Sequence, residues 1–297
     1  PHGPNAVRAP YDTMFLDLPF QQPKSALSAG ENFPSYAATL DGRFDKTQMA
    51  LYFGMVKCID DNVGRIIAAL RETDELDNTF VVFTSDHGDL CGEHGRDNKS
   101  VPMEGSARIP FLLQAPGVVK PGTVIHEPLA NVDFKPTILS LMGMANPVKD
   151  EGRDASSLFT DAPKSADLRN VIFVRIGGAK QHAAPDEDSE NIGQGWMGAF
   201  TSRYKFIVAP GEIPCLFDLE QDPNELKNLI RDPSKRPIIK RLGAELLNYA
   251  KSKSDPLLDS ASIRADLAWA ANGDGPYKAV TLKRNGKAET IKANQAK

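Results

Sequence analysis

The amino-acid sequence predicts an α/β protein, in which part of a sheet sandwiched by helices is followed by a smaller α+β region with a short antiparallel sheet. Three patterns support this prediction. Apolar residues recur at helical spacing across residues 45–73, a continuous apolar run follows at 79–85, and short strand-like runs separated by loops begin after residue 165. We therefore divide the 297 residues into a region at 1–165 and a region at 166–297.

Residues 1–44 are rich in Pro, Ala and polar residues and show no sustained periodicity, so we interpret them as a long ordered loop. The pattern changes at Asp45, which together with Gln48 resembles a helix capping box. Apolar residues then follow at helical spacing, which predicts a long amphipathic helix that ends near Thr73.

Two strands and a short helix are predicted next. Residues 79–85 form a continuous apolar run, which is typical of a strand covered on both faces in a parallel α/β sheet. A Gly-rich, charged loop occupies residues 86–106, and 107–117 is a second strand candidate with a Pro-Gly stop. Residues 132–143 predict a short helix that stops at Gly143. This order of strands and helix indicates a βαβ-type layered domain.

The region after residue 165 has a different pattern. An amphipathic helix is predicted at 235–251, and Asn285-Gly286 between two alternating runs indicates a type I′ hairpin near the end of the chain. Four short strand candidates, separated by loops, precede them at 170–176, 196–202, 204–209 and 214–219. The second region is therefore predicted to be a smaller α+β subdomain with a terminal hairpin.

Composition and charge narrow the class of function. A net charge of -4 and a pI near 5.8 argue against a nucleic-acid partner, because phosphate-backbone binding relies on clustered Lys and Arg. No apolar run approaches the roughly 18 residues of a membrane span, so none is expected. The three cysteines are too few and too scattered for a disulfide framework, although one disulfide remains open. The chain opens Pro-His-Gly-Pro, with no signal-peptide pattern, which leaves its compartment unknown.

The strand candidate at 79–85 ends in Asp86-His87-Gly88, which is the first candidate site. In open α/β sheets, ligands bind outside the carboxyl ends of the strands. A carboxylate and an imidazole form a mixed oxygen and nitrogen donor set that suits a divalent cation. The alternative is that Asp86 caps the next turn and His87 packs in a polar pocket. Two ligands are also fewer than a complete cation site needs.

Lys99 lies in the same Gly-rich loop and is the second candidate. An ammonium group beside a cation suits a compact oxyanion substrate, because the two positive charges share the negative charge that builds up as an ester breaks. The alternative is an ordinary solvated surface lysine. Glu104 and Arg108 follow in the chain and are expected to brace the loop by ion pairing.

Longer stretches of the chain resemble the sulfatase family of the alkaline-phosphatase-like superfamily. They are TFVVFTSDHGDLCGEHG, KSVPMEGSARIPFLLQAPG, NVDFKPTILSLMG, SRYKFIV and CLFDLEQDPNELKNL, and the opening PHGP is similar to the family's Pro-His-x-Pro segment. They follow the family's order and spacing over roughly residues 1–230. The resemblance implies that 1–165 is the C-terminal half of a sulfatase-like α/β catalytic domain and that 166–297 is its smaller C-terminal subdomain.

The resemblance also implies a role for each matching residue. Asp86 and His87 match the family's second pair of metal ligands, with Ca²⁺ the expected divalent cation. Lys99 matches the lysine that holds the sulfate oxygens and the leaving-group oxygen. His2 matches a histidine that contacts the sulfate and is expected to protonate the leaving group, a task that suits imidazole because it exchanges protons near neutral pH. His94 is a candidate for lining the substrate pocket, with ordering of the Gly-rich loop as the alternative.

Two parts of the family's pattern do not occur in the sequence. The family's nucleophile is a Cys or Ser in a Cys/Ser-x-Pro-x-Arg motif that is oxidised to formylglycine, and none of Cys58, Cys91 and Cys215 begins such a motif. The pair of N-terminal aspartates that completes the family's metal site is absent as well. We therefore expect that the chain is the C-terminal portion of a sulfatase, that formylglycine lies in a missing N-terminal part, and that the isolated chain is inactive.

The leading hypothesis is a metal-dependent sulfuric ester hydrolase. In the family's mechanism the formylglycine hydrate attacks a metal-bound sulfate ester, Lys99 and His2 assist departure of the alcohol, and the hemiacetal sulfate collapses to aldehyde and free sulfate. The expected partner is a small sulfate ester or a sulfated carbohydrate, and residues 177–195 are a candidate specificity loop. An exported location, periplasmic or extracellular, is expected if the protein is like many of its relatives.

Two alternatives remain open. One is a phosphonate or phosphodiester hydrolase of the same superfamily, because Asp-His ligands also occur there. The other is a non-catalytic, sulfatase-like domain that binds oxyanions or carbohydrates. Turnover of sulfate against phosphate esters separates the first from a sulfatase, and the presence or absence of the nucleophile motif in the parent protein separates the second.

Overall fold

The predicted α/β class with a short antiparallel sheet is confirmed. A two-stranded sheet, a four-stranded antiparallel sheet and a terminal hairpin occur together with five α-helices in the described residues. None of the helices in that part of the chain combines the length and the apolar character that crossing a membrane would require. The boundary near residue 165 remains a prediction. The computed structural model describes residues 1–27, 33–34, 44–163, 170–177, 195–278, 281–284 and 287–290.

The first helix holds the N-terminal segment in place. Helix α1 spans Lys46–Glu72 and begins at Asp45, whose Oδ1 accepts hydrogen bonds from two backbone N–H groups of the first turn at 2.8 and 3.1 Å. The helix and its N-cap residue are therefore as predicted. Tyr11 crosses the helix at Gly54, where an added Cβ would lie 2.2 Å from the Tyr11 carbonyl oxygen. The Tyr11 hydroxyl also donates to Asp61 Oδ2 at 2.8 Å, so the N-terminal segment lies against α1.

The strand predicted at 79–85 is present, but its pairing differs from the prediction. Strand β1 spans Val81–Thr84 and strand β2 spans Phe111–Gln114, and the two pair antiparallel. The expected parallel arrangement is wrong for these strands, because the loop between them folds back on itself: the Gly88 N–H donates to the Ser106 carbonyl at 2.9 Å. Strand β2 therefore starts beside the point where β1 ends. Both strands are partly exposed rather than covered on both faces.

Two short helices flank β2 in the chain. Helix α2 spans Glu104–Ala107 at the end of the Gly-rich loop, and helix α3 spans Phe134–Leu141 after a 3₁₀ turn at Asn131–Asp133. The predicted stop at Gly143 is confirmed, since this glycine adopts φ +69°, the left-handed conformation that commonly follows a helix.

The second region contains the predicted four-stranded antiparallel sheet. Side chains of its third strand alternate between the two faces. Phe206 and Val208 pack against the helices that follow, whereas Ile207 belongs to an apolar cluster with Val101 and Met103 of the Gly-rich loop. One face of this sheet therefore supports the loop that leads away from β1. In sheet order, the strands β3, β4, β5 and β6 span Ile172–Ile176, Trp196–Phe200, Tyr204–Val208 and Cys215–Asp218.

Two helices cover the other face of this sheet. Helix α4 spans Arg236–Ser252 and confirms the helix predicted at 235–251, whereas helix α5, Ala261–Asn272, was not predicted. Its many alanines weaken the contrast between apolar and polar faces, which is the signal that identifies an amphipathic helix. The two helices approach closely where an added Cβ on Gly243 would lie 2.4 Å from the Cβ of Ala270.

The two strands of the predicted terminal hairpin are confirmed. Strand β7 spans Thr281–Arg284 and strand β8 spans Lys287–Thr290, and they pair antiparallel. The Asn285-Gly286 turn itself lies outside the described residues, as do residues 178–194 of the candidate specificity loop.

A buried carboxylate in α5 makes the stability of the second region depend on pH. Asp266 is 0% exposed and its Oδ1 accepts the Tyr277 hydroxyl at 2.9 Å. Desolvation raises the pKa of Asp266 to about 7. Because the folded protein binds this proton more tightly than the unfolded chain, the proton's contribution to stability is full below about pH 4 and is lost as the pH rises through 7.

Replacing Asp266 by asparagine is expected to remove this dependence on pH. Asparagine keeps an oxygen for the Tyr277 hydroxyl and carries no charge at any pH. The free energy of unfolding of Asp266→Asn should therefore rise relative to that of the wild type as the pH increases from about 4 to about 8. Urea denaturation at several pH values measures the difference, and a difference that does not change with pH would contradict the assignment.

Candidate active site

One cleft brings together three of the residues singled out in the sequence. It has a volume of about 2270 Å³ and extends from the end of β1 and the loop 86–106 to the sheet of the second region. Asp86, His87 and Lys99 line it, together with Asn131. The carboxylate–imidazole pair and the lysine therefore open onto one shared cavity.

Asp86 and His87 present two donor atoms side by side. The Asp86 side chain is 83% exposed, its Oδ1 accepts the backbone N–H of His87 at 2.9 Å, and its Oδ2 lies 3.5 Å from His87 Nε2. In the neutral ring, His87 Nδ1–H donates to the Gly88 carbonyl at 2.8 Å, so Nε2 carries the lone pair. The backbone N–H of His87 also holds the pKa of Asp86 below its usual value, which favours the ionised carboxylate.

Close backbone contacts fix the turn that carries this pair. An added Cβ at Gly88 would lie 2.1 Å from the Gly105 carbonyl oxygen, so only glycine lets the two ends of the loop approach this closely. The side-chain amide of Asn131 donates to the Asp86 carbonyl at 2.9 Å and ties the turn to the 3₁₀ turn that precedes α3. Asp86 is therefore held from both sides through its backbone, while its carboxylate stays open to the cleft.

The two donors fit part of a divalent-cation site. A carboxylate oxygen and an imidazole nitrogen both coordinate such ions, and atoms 3.5 Å apart can both reach one ion. Across the described residues, no three His, Cys, Asp or Glu side chains are grouped closely enough to bind a metal. Asp86 and His87 would therefore need further ligands, and the Ca²⁺ site stays a prediction.

His2 is in direct contact with Lys99. The Lys99 Nζ lies 2.9 Å from His2 Nε2, although the two residues are 97 positions apart in the chain. His2 Nδ1 lies 2.7 Å from the Gly3 carbonyl, which can only accept, so Nδ1 carries the ring proton and Nε2 accepts from the ammonium. The structure thus joins the two residues for which the family resemblance implies a role at the leaving group.

His94 lies apart from the other candidates. It is 1% exposed and is not among the residues that line the cleft. It adopts φ +53°, its backbone N–H donates to the Ser25 hydroxyl oxygen at 3.1 Å, and burial lowers the pKa of its ring to about 4. These features support the alternative in which His94 orders the Gly-rich loop, and the geometry gives no support to a contact with substrate.

A buried lysine that was not predicted from the sequence lies beneath the loop. Lys205 is 1% exposed, and its Nζ lies 2.7 Å from Glu104 and 2.9 Å from Glu225. Glu104 also makes the predicted ion pair with Arg108, at 3.6 Å. The available signal was a lysine in the strand YKFIV, because a charged side chain among buried apolar neighbours needs a buried partner.

The three cysteines occur as thiols, and the one nearest in sequence to the candidate site is in its less reactive form. No disulfide bond links Cys58, Cys91 and Cys215, so the disulfide left open by the sequence does not form. Cys91 lies nearest in sequence to the candidate site, and burial raises the pKa of its thiol to about 12. That thiol therefore stays protonated at neutral pH, and the thiolate is the reactive form.

Two family models match the chain. The model described as Sulfatase matches residues 1–144, and the model described as N-sulphoglucosamine sulphohydrolase, C-terminal, matches residues 92–252. The two matches overlap across the segment that contains Lys99, Glu104 and Arg108.

Individual proteins show the same relationship. The arylsulfatase of Clostridium perfringens is 29% identical over 276 residues, which cover 89% of this chain and 54% of that protein. A solved phosphonate monoester hydrolase from Silicibacter pomeroyi is 26% identical, with a TM-score of 0.69 over 87% of this chain and 55% of that one. A solved structure in complex with its substrate D-glucosamine-2-N,6-O-disulfate is 28% identical, with a TM-score of 0.63 over 71% of this chain and 42% of that one.

The chain spans about half the length of the curated relatives that it matches, between 40% and 55%. The C-terminal sulphohydrolase model nevertheless matches more than half of the chain. The sulfatase model matches all of the residues that precede it. The chain therefore belongs to the sulfatase family, within the alkaline-phosphatase-like superfamily.

Proposed function

We propose that the protein is a metal-dependent sulfuric ester hydrolase whose site includes Asp86, His87, Lys99 and His2. The observation that carries the proposal is the shared cleft, in which a carboxylate–imidazole pair and an ammonium group line one cavity. A sulfate ester has the matching charge, because its outer oxygens are anionic and its leaving oxygen becomes so as the ester bond breaks. Membership of the sulfatase family supports the same activity.

Lys99 and His2 would serve the leaving group. The Lys99 Nζ carries the proton in its contact with His2 Nε2, so the pair holds one transferable proton between an amine and an imidazole. Transfer of this proton to the leaving oxygen neutralises the alkoxide as the sulfur–oxygen bond breaks. The ammonium also offsets negative charge on the sulfate oxygens before the proton moves.

Asp86 and His87 would hold a divalent cation, expected to be Ca²⁺, through Oδ2 and Nε2. Such a cation supplies Lewis-acid stabilisation of the sulfate oxygens. The nucleophile has no counterpart among these 297 residues, because none of their Cys or Ser residues begins a Cys/Ser-x-Pro-x-Arg motif. We therefore assign no residue of this chain to formylglycine, and we infer that the 297 residues alone release no sulfate from sulfate esters.

A sulfated carbohydrate is the substrate class that we favour. The family model over residues 92–252 is described by a sulfated amino sugar, and a structural relative has been solved with D-glucosamine-2-N,6-O-disulfate as its substrate. The cleft of about 2270 Å³ also has room for a sugar beside the sulfate group. Small aryl sulfates remain suitable assay substrates, because they present the same anionic group.

A phosphonate or phosphodiester hydrolase is the second candidate function. Its support is the 26% identity and the TM-score of 0.69 to the phosphonate monoester hydrolase from Silicibacter pomeroyi. A divalent cation held by Asp86 and His87, together with Lys99, would stabilise negative charge on the phosphorus oxygens in the same way. A non-catalytic oxyanion-binding domain is the third candidate, and it would use the same cleft without a nucleophile.

Turnover of matched esters by the intact gene product distinguishes these candidates. A nitrophenyl sulfate, phosphonate and phosphodiester share one leaving group, so a difference in kcat/KM reports on the anionic centre. We expect kcat/KM for the sulfate ester to exceed that for the phosphorus esters by at least about tenfold. Chelation of divalent cations should abolish the activity, and added Ca²⁺ should restore it. Preference for the phosphonate would favour the second candidate, and binding of inorganic sulfate without any turnover would favour the third. Sulfate release by the 297 residues alone would contradict the inference that they are inactive.

A further inference from the structure

The loop that carries Lys99 is attached to the sheet of the second region. We propose that Trp196, Lys205 and Glu225 are positioning residues, which fix the backbone of residues 100–104 so that Lys99 meets the leaving oxygen. This inference rests on the proposed function, because it concerns the reaction that Lys99 would serve. It gives the C-terminal sheet a part in setting the geometry of the site, beyond its part in folding.

The first contact comes from β4. The indole Nε1–H of Trp196 donates to the Ser100 carbonyl at 2.9 Å, one residue beyond Lys99. The indole lies nearly parallel to the ring of Phe200, with 5° between their planes, and the residue is 6% exposed. Because burial and ring packing restrict rotation of the indole, the sheet offers a rigid donor to the peptide next to Lys99.

The second contact comes from β5. The Nζ of Lys205 donates to the Pro102 carbonyl at 2.8 Å, and it pairs with Glu104 at 2.7 Å and with Glu225 at 2.9 Å. Two hydrogen bonds, to Pro102 and Glu225, and a further ion pair with Glu104 therefore hold this ammonium inside the protein. A buried charge held by such contacts cannot move without losing its partners, so it fixes the distance between the sheet and the loop.

The third contact comes from the segment after β6. One carboxylate oxygen of Glu225 binds Lys205, and the other accepts the backbone N–H of Glu104 at 2.7 Å. Glu225 itself adopts φ +52°, a left-handed conformation that residues other than glycine adopt at a cost. The strained backbone at Glu225 therefore directs its carboxylate to the far end of the loop.

The loop needs such support because its own backbone is strained around Lys99. Asn98 adopts φ +65° and Ser100 adopts φ +83°, and both values lie where side chains are disfavoured. A loop without external contacts would relax out of this conformation. In each of the three contacts, the two residues are between 96 and 121 positions apart in the chain. They therefore decide where the Lys99 ammonium lies.

Trp196→Phe in the intact gene product isolates one of these contacts. It removes the indole donor and keeps an aromatic ring between β4 and the loop. Trp269→Phe is the matched control, because its Nε1 has no hydrogen-bond partner in the described part of the chain. Glu225→Gln is the second test variant. Glutamine has a single acceptor oxygen, whereas the Glu225 carboxylate accepts from both the Lys205 ammonium and the Glu104 backbone N–H. Lys205→Met is unsuitable, because the buried carboxylate of Glu225 would lose its cation and unfolding is expected.

Kinetics with two leaving groups separate positioning from general weakening of the fold. In Trp196→Phe we expect kcat for a sugar or alkyl sulfate to fall about tenfold, with KM within about twofold of the wild type. The loss should be smaller for a nitrophenyl sulfate, whose leaving oxygen needs little help from a proton. Trp269→Phe should keep the wild-type values with both substrates.

Hydrogen–deuterium exchange tests the attachment of the loop without relying on activity. Amides of residues 98–105 should exchange faster in Trp196→Phe and Glu225→Gln than in the wild type and in Trp269→Phe. Unchanged exchange, or equal losses of kcat with both leaving groups, would overturn the positioning role. A wild-type protein without sulfatase activity would remove the proposed function and the positioning role together. An active wild type without a selective loss in Trp196→Phe would remove the positioning role alone.

Discussion

Replacing Lys99 by methionine is expected to lower kcat of the intact gene product for sulfate esters by about 10²–10³-fold, the usual cost of removing one charge-stabilising group from an active site. Methionine keeps the unbranched chain without the ammonium, so the loss falls on charge at the sulfate and leaving oxygens. His2 Nε2 also loses the donor that lies 2.9 Å away. Steady-state kinetics should show a larger loss for a sugar sulfate than for an aryl sulfate, because the sugar alkoxide is the poorer leaving group.

Lys120→Met is the control for this substitution. Lys120 pairs with Asp161 at the surface, and its side chain is 76% exposed, so its removal should leave kcat unchanged. The urea midpoint of Lys99→Met should also match the wild type, because the Lys99 side chain is only partly buried and its contact with His2 is exposed. Activity of Lys99→Met near the wild-type value would remove Lys99 from the catalytic machinery, and the charge argument for a sulfate ester would then fail.

Elements with local signals were predicted from the sequence. The cap at Asp45 and the apolar periodicity behind it define α1, and the Asn285-Gly286 pair predicts a hairpin, because both signals lie within a few neighbouring residues. The partner of β1 was not predictable in this way. It depends on the contact between Gly88 and Ser106 that folds the loop back, and an apolar run alone does not distinguish parallel from antiparallel pairing.

The same distinction applies to the candidate site. Asp86, His87 and Lys99 lie within 14 consecutive positions, so their residue types and spacing can be recognised in the sequence. The attachment of their loop was not recognised, because Lys205 and Glu225 come from distant strands and turns and meet it only in the folded protein. Residue types that suit chemistry are therefore visible locally, whereas the contacts that position them depend on tertiary structure.

Replacing Asp86 by asparagine is expected to weaken Ca²⁺ binding by more than about 100-fold, since loss of a group that merely supports a ligand already costs up to that factor. Asparagine keeps an oxygen for the His87 backbone N–H, which Asp86 now accepts at 2.9 Å, so the turn should be preserved. The second oxygen becomes an NH₂ group, which cannot coordinate a cation. Calorimetric titration of the intact gene product with Ca²⁺ measures the change, with Asp161→Asn as a surface control.

Replacing His87 by asparagine should have a different effect and thereby identify the cation. Ca²⁺ takes oxygen ligands, and an amide oxygen is at least as suitable as an imidazole nitrogen, so Ca²⁺ affinity should stay within about threefold. Binding of Zn²⁺ should weaken instead, because imidazole is among its preferred ligands. Loss of Ca²⁺ binding in Asp86→Asn alone therefore indicates a hard cation held chiefly by the carboxylate, and equal losses in both variants indicate a transition metal. Unchanged binding in both would mean that neither residue is a ligand, and the cleft would then meet the substrate without a cation at this pair.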